Sequence, residues 1–305
     1  MKLPERVTLC EVGLRDGLQN EPKLLSVGEK HKLLQMSIDA GFRVIEVGSF
    51  VSPRAVPQMA DTDALFRAIG AVEGVELRAL IANRRGLDRA IACGCRKVKL
   101  NVSASVGHNL SNLNCTPAES VARFGEIVAA AKENGVAVSG SISMAFGSPW
   151  DREIPVSEVR RIVEAYLTNG VTELSLSDAS GQAFPKQVFD LCTELKGDYG
   201  GVTWWLHFHN TRGLAMANIL AGMEAGVTRF DASFLGVGGC PFVPGAAGNV
   251  ATEDVVHMLD GIGVKSGIDA DRCIETAKYL QELIGHACDS YVLRAGKASE
   301  LYRGV

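Results

Sequence analysis

One rhythm recurs along this chain and limits what it can fold into: a helical stretch closes near a glycine, and a short apolar run begins at once. It appears in Ala40-Gly41-Phe42-Arg43-Val44-Ile45-Glu46, in Cys93-Gly94-Cys95-Arg96-Lys97-Val98-Lys99-Leu100 and in Asn134-Gly135-Val136-Ala137-Val138. It returns in Asn169-Gly170-Val171-Thr172-Glu173-Leu174 and Ala225-Gly226-Val227-Thr228-Arg229-Phe230. The glycine allows the left-handed turn that ends a helix, and the β-branched run starts a strand. Eight strands are predicted: Val7–Gly13, Val44–Ser49, Glu76–Ala82, Lys97–Ser103, Ala137–Ser143, Glu173–Asp178, Val202–His209 and Arg229–Leu235. Helix-like segments such as Val27–Ala40, Ala118–Asn134 and Val156–Asn169 lie between them. Eight strand–helix units over about 250 residues is the arithmetic of a (β/α)8 TIM barrel, an α/β fold. Mostly uninterrupted apolar strands suit a parallel sheet covered on both faces. A doubly wound open sheet is the weaker alternative, because no Gly-x-Gly-x-x-Gly turn follows the first strand. The segment from Thr252 to Val305 reads as extra C-terminal helices that close and flank the barrel. No linker or low-complexity stretch divides residues 1–305, so a single domain is expected.

The composition excludes several classes. Of the 305 residues, 47% are hydrophobic and 22% charged, enough for a large core and unlike a disordered chain. Net charge is −4 with no basic stripe, which argues against nucleic acid as a partner. No apolar run approaches the ~20 residues that span a bilayer. Met1-Lys2-Leu3-Pro4-Glu5-Arg6 lacks a signal peptide's apolar segment, so a cytoplasmic protein is expected. Cys10, Cys192, Cys273 and Cys288 sit in apolar contexts, and Cys93 and Cys95 are too close to pair in an extended chain. No Cys-x-x-Cys occurs, so these read as reduced, mostly buried thiols.

Chemistry gathers at the predicted strand ends. In Leu206-His207-Phe208-His209-Asn210 the two histidines are two apart on a strand, so both imidazoles point to one side, as a divalent metal needs. The end of strand one, Glu11-Val12-Gly13-Leu14-Arg15-Asp16-Gly17, brings a guanidinium and a carboxylate to the mouth, or else forms a surface turn with an ion pair. Glu46, inside the apolar Val44-Ile45-Glu46-Val47-Gly48, must be paired or functional, since a lone buried carboxylate is costly. Strand six ends in Ser175-Leu176-Ser177-Asp178, again with a carboxylate. After strand eight comes the Gly-rich Gly236-Val237-Gly238-Gly239-Cys240-Pro241-Phe242, then Gly245 to Glu253. Long loops of this kind at this face are usually mobile binding loops. Cys240 is either a proton donor on such a lid or a small packing residue. Asn249 either caps the following helix or offers a carbonyl oxygen to a metal. Asp16, His207, His209 and Asn249 together supply two nitrogens and two oxygens without a thiolate. That donor set suits an octahedral site for Mg²⁺ or Mn²⁺, with Co²⁺ or Zn²⁺ as alternatives. A substrate chelating through a hydroxyl and a carbonyl would find its hydroxyl acidified, with Arg15 near to stabilise an enolate oxygen. This is equipment for carbon–carbon chemistry beside a carbonyl.

Over nearly its whole length the chain resembles the 3-hydroxy-3-methylglutaryl-CoA lyases, metal-dependent barrel lyases with an Asp-Arg-Glu signature. The resemblance rests on Glu11 to Glu21, Val44 to Met59, Leu206 to Asn218 and Gly236 to Asp254, above all on Gly238-Gly239-Cys240-Pro241 with Gly248-Asn249-Val250-Ala251-Thr252-Glu253. It implies an acyl-CoA substrate cleaved to acetyl-CoA and acetoacetate, with a divalent metal held by Asp16, His207, His209 and Asn249. It further implies that Arg15 stabilises the enolate and that Cys240 takes part in proton transfer. Glu46 and Asp178 then support the site or relay protons, Glu253 stands behind it, and the protein is a homodimer. Four positions depart from the family pattern: Leu14 for proline, Ser177-Asp178-Ala179 for Gly-Asp-Thr, Ser105-Val106 for Ser-Glu, and Gly147-Ser148-Pro149-Trp150 for Gly-Cys-Pro-Tyr. The last three of these changes fall near strands four to six and bear on the acyl pocket more than on the reaction. Two rivals are a condensing synthase of the same superfamily and a non-catalytic metal- or CoA-binding barrel.

Overall fold

The computed structural model describes residues 1–239 and 248–300. Eight parallel strands close into a barrel in chain order: β1 Thr8–Glu11, β2 Val44–Ser49, β3 Glu76–Ile81, β4 Lys97–Ser103, β5 Ala137–Ser143, β6 Glu173–Asp178, β7 Thr203–Phe208 and β8 Arg229–Ala232. Closure is made by β8 against β1, with Thr8 opposite Arg229 and Glu11 opposite Ala232. The surrounding helices are α1 Val27–Asp39, α2 Thr62–Ile69, α3 Arg84–Ala92, α4 Val106–Leu113, α5 Pro117–Ala122, α6 Phe124–Glu133, α7 Val156–Thr168, α8 Pro185–Asp198 and α9 Ala215–Glu224, followed by α10 Thr252–Gly261, α11 Ala270–Ile284 and α12 Tyr291–Ala295. The fold is the expected α/β barrel with extra C-terminal helices, and α11 packs on α1 and α10. Among the described residues no helix is long and apolar enough to cross a membrane. The seven described cysteines are all free, and six of them are buried.

The alternation of each strand sorts its side chains. Val98, Leu100 and Val102 of β4 join the apolar layer beneath the helices, as do Leu174 and Leu176 of β6. The other face of the same strands is polar. At the N-terminal end of the barrel Arg78 pairs with Glu173 at 2.9 Å, Lys97 with Glu173 at 2.7 Å, and Trp205 lies between the guanidinium groups of Arg78 and Arg229. These cation–π and ionic contacts plug that end. The expectation of mostly uninterrupted apolar strands is corrected here: the inner face is polar, and the outer face is largely apolar, with Glu11 of β1 an exception.

Three elements differ from the sequence reading by more than a residue at one end. β1 stops at Glu11 because the N–H groups of Arg15, Asp16 and Gly17 all turn back to the Val12 carbonyl, at 3.1, 2.7 and 3.2 Å. β8 stops at Ala232, where Ser233 opens a short turn with Leu235 at φ 63°. The helix expected over 118–134 is two, α5 and α6, meeting at Arg123. There the Arg123 N–H bonds to Ser120 O, three residues back, and Gly125 weakens the run just beyond.

Candidate active site at the barrel mouth

The wide turn after β1 does more than end a strand. By gathering three N–H groups on one carbonyl it rolls Arg15 and Asp16 over the C-terminal mouth, and both are buried. β7 supplies His207 and, one residue beyond its end, His209. A backbone bridge pairs His209 with Asn249, which draws the segment after the lid loop to the same place. The side chains converge: His207 Nε2 and His209 Nε2 are 3.1 Å apart, and lie 3.7 and 3.3 Å from Asp16 Oδ2. These three form a buried cluster, among the described residues, that is able to hold a divalent metal ion.

Two observations test whether the cluster fits a cation. Ligands at right angles on a small divalent ion stand about 3 Å apart, and the imidazole nitrogens meet that spacing. Buried polar atoms are also left over, since Asn249 Oδ1 and His209 Nδ1 have no hydrogen-bond partner among the described residues. Asn249 is close but turned: its Nδ2 donates to Asp16 Oδ2 at 2.7 Å and to Val237 O at 3.0 Å. Ligation through Oδ1 takes a half-turn of the amide, which gives up the bonds to both Asp16 and Val237. The side chain does not cap α10, whose N-cap is Ala251.

Behind the cluster runs a closed ring of charge. Arg15 bonds Asp16 on one side and, through Nε, Glu46 Oε1 on the other. Glu46 Oε2 meets Lys99 Nζ at 2.6 Å, and Lys99 Nζ reaches Asp231 Oδ2 at 3.0 Å. Asp231 Oδ2 faces His207 Nδ1 at 3.2 Å, and His207 returns to Asp16. Burial pushes the Asp16, Glu46 and Asp231 carboxyls up, but the adjacent cations outweigh it and hold all three below the usual carboxylate range. Three buried carboxylates thus face two buried cations, Arg15 and Lys99, which leaves one negative charge over. A divalent cation would turn that deficit into a single positive charge, suited to an anionic intermediate.

Comparison with known proteins was decisive at this point, because residues 6–280 match the HMGL-like family. The chain belongs to that family. A hydroxymethylglutaryl-CoA lyase of Bacillus subtilis is 36% identical over 98% of this chain and its own whole length. An (R)-citramalyl-CoA lyase of Chloroflexus aurantiacus is 38% identical over 99% of this chain and 97% of its own. The structure of an HMG-CoA lyase from Acinetobacter baumannii in complex with coenzyme A and 3-methylmalate superposes with TM-score 0.94, at 38% identity, covering 98% and 97% of the two chains.

The remaining residues singled out in the sequence are placed as follows in this HMGL-like protein. Glu46 is paired twice over, to Arg15 and Lys99. The Asp178 carboxylate clasps the β6–α8 turn, accepting from Gln182 N and Ala183 N, each at 2.9 Å, while its main-chain oxygen accepts from His209 N at 3.1 Å. It thereby seats His209 through backbone, and burial pushes its carboxyl up. Glu253 accepts from Leu235 N at 3.1 and 3.2 Å, pinning the positive-φ turn at the root of the lid loop. Cys240 lies outside the described residues. Sequence reasoning missed Lys99, Asp231 and Glu11. The signal was present in Lys97-Val98-Lys99-Leu100-Asn101-Val102-Ser103 and Arg229-Phe230-Asp231, where charge alternates with apolar residues in strands buried on both faces.

Proposed function

We propose that this protein is a divalent-metal-dependent carbon–carbon lyase that cleaves 3-hydroxy-3-methylglutaryl-CoA, or a close analogue, to acetyl-CoA and acetoacetate or the related keto acid. The observation that supports this most is the convergence of Asp16, His207 and His209 beside the Arg15 guanidinium at the barrel mouth. A bound divalent cation supplies Lewis acidity toward a chelated hydroxyl. In the reaction the hydroxyl loses its proton and becomes the keto oxygen. The C2–C3 bond breaks, and its electron pair moves onto the thioester as an enolate. Arg15, whose Nη1 donates to Asp16 while Glu46 holds its Nε, is set to stabilise that enolate oxygen. Proton delivery to the enolate carbon is assigned to Cys240, by its position in the Gly238-Gly239-Cys240-Pro241 loop. Two imidazoles and oxygen donors without a thiolate favour Mg²⁺ or Mn²⁺. The working unit is taken to be a homodimer, as is common in the family.

A second acyl group is worth testing. The inward side of β4 and β5 is polar, with Ser143 Oγ donating to Asn101 Oδ1 at 2.9 Å, and the relative from Chloroflexus is named for citramalyl-CoA. Incubation with each of the two thioesters, with Mg²⁺, Mn²⁺ or a chelator, followed by assay of acetyl-CoA and the keto acid, tests both readings. Metal-dependent release of acetyl-CoA is expected. Metal and CoA binding with no turnover on any 3-hydroxyacyl-CoA would favour the non-catalytic barrel. Faster condensation of acetyl-CoA with a 2-oxo acid would favour the synthase.

A further inference from the structure

Lys99 has no assigned role, yet it stands where two supports of the site meet. It is 3% exposed, and its Nζ lies between Glu46 Oε2 and Asp231 Oδ2. Glu46 grips Arg15, and Asp231 grips His207. Both of its neighbours are carboxylates, so the ammonium is tied up as a counter-ion and is not available as a nucleophile. Glu46 has two oxygens and two cations within reach. A guanidinium prefers to fork both oxygens of one carboxylate. Lys99 pairs with Oε2 while Arg15 Nε holds Oε1, and Arg15 Nη1 donates to Asp16 at the mouth.

We propose that Lys99 is a positioning residue: by occupying the second oxygen of Glu46 it prevents a fork that would draw Arg15 down the barrel, away from the reacting group. This rests on the lyase reading and deepens it. The test is a double-mutant cycle of Lys99→Gln and Glu46→Gln, with turnover normalised to bound Mn²⁺ counted by EPR, so that a partly folded preparation still reads. Lys99→Gln is expected to lower kcat by about 10- to 100-fold, the usual range for residues behind a metal site. KM should move by less than about three-fold, because ground-state binding is not what Arg15 chiefly supplies. In the Glu46→Gln background the same change should cost little, since a neutral amide forms no charged fork. Lys99→Arg, which keeps the charge, should recover most of the turnover. Equal losses from Lys99→Gln in both backgrounds, a loss confined to KM, or Lys99→Arg as impaired as Lys99→Gln would each overturn the proposal. An inactive wild-type protein would overturn the lyase reading and this inference with it. An active wild type with an equally active Lys99→Gln overturns this inference alone.

Discussion

Asp231 lies one side chain away from the cluster, yet it governs which ring nitrogen His207 presents. Its Oδ2 faces Nδ1 at 3.2 Å, so the proton belongs on Nδ1 and the Nε2 lone pair faces Asp16 and His209. An asparagine in its place can offer an amide N–H to Nδ1 and favour the opposite tautomer. Asp231→Asn is therefore expected to weaken Mn²⁺ binding by about 10- to 100-fold, read by EPR titration of the metal-free protein. Unchanged affinity would show that the carboxylate does not set the ring. In the proposed mechanism the charge of Arg15 matters most as negative charge develops, so Arg15→Met should lower kcat far more than it raises the dissociation constant for acyl-CoA. Steady-state kinetics beside a calorimetric titration with CoA separates the two, and a pure affinity loss would reduce Arg15 to a binding group.

The elements that matter are the ends of strands and the turns that follow them. Gly238, at φ 107°, shows how tightly the chain after β8 is seated against the site. A Cβ there would lie 2.5 Å from Asp16 O and 2.6 Å from Asn249 Nδ2. Gly238→Ala would thus strain the backbone and push two members of the site apart. Loss of both Mn²⁺ binding and turnover is expected, with circular dichroism and the melting temperature little changed; full activity would mean that the loop root yields without disturbing the site. How much of this the sequence disclosed depends on the element. β2, β4, β5 and β6 begin and end where predicted, because a helix-closing glycine precedes each. The ends of β1 and β8 were not legible, since three amides sharing the Val12 carbonyl, and Glu253 reaching Leu235, are contacts between distant or unusual backbone geometries. The trio able to hold a metal was readable from His-x-His spacing and strand ends. Lys99 and Asp231 were visible as charges in buried strands, but their pairing was not, because nothing local says that residues 132 apart bring their charges together.

At the scale of the whole molecule, carboxyls buried inside the barrel and between the barrel and its helices make stability depend on pH. Glu11 carries the clearest signature. It ties β1 to the turn after β8 and to α10, accepting from Gly13 N at 2.7 Å, Phe234 N at 3.1 Å and Thr252 Oγ at 2.6 Å. Burial nevertheless dominates and pushes its carboxyl from 4.5 up to about 8, while burial lifts Glu253 to about 7. A carboxyl whose folded pKa is raised holds its proton in the fold where the unfolded chain has lost it. Its contribution is fully present below 4.5 and disappears as pH rises through about 7 to 8. The depressed carboxyls of Asp16, Glu46 and Asp231 work in the opposite sense but in a separate, acid window. Between pH 5.5 and 8.5 (about the span those two shifts define) the melting temperature should therefore fall. Glutamine is isosteric with the protonated carboxyl, and its amide can donate to Thr252 Oγ while its oxygen accepts from the two backbone N–H groups. Glu11→Gln should flatten that pH profile and melt higher than wild type at the alkaline end. Thermal melts of the two proteins across the range decide it: a wild-type profile that rises with pH, or a variant that melts lower throughout, would mean that Glu11 is ionised in the fold and that its three donors, not its burial, set its charge.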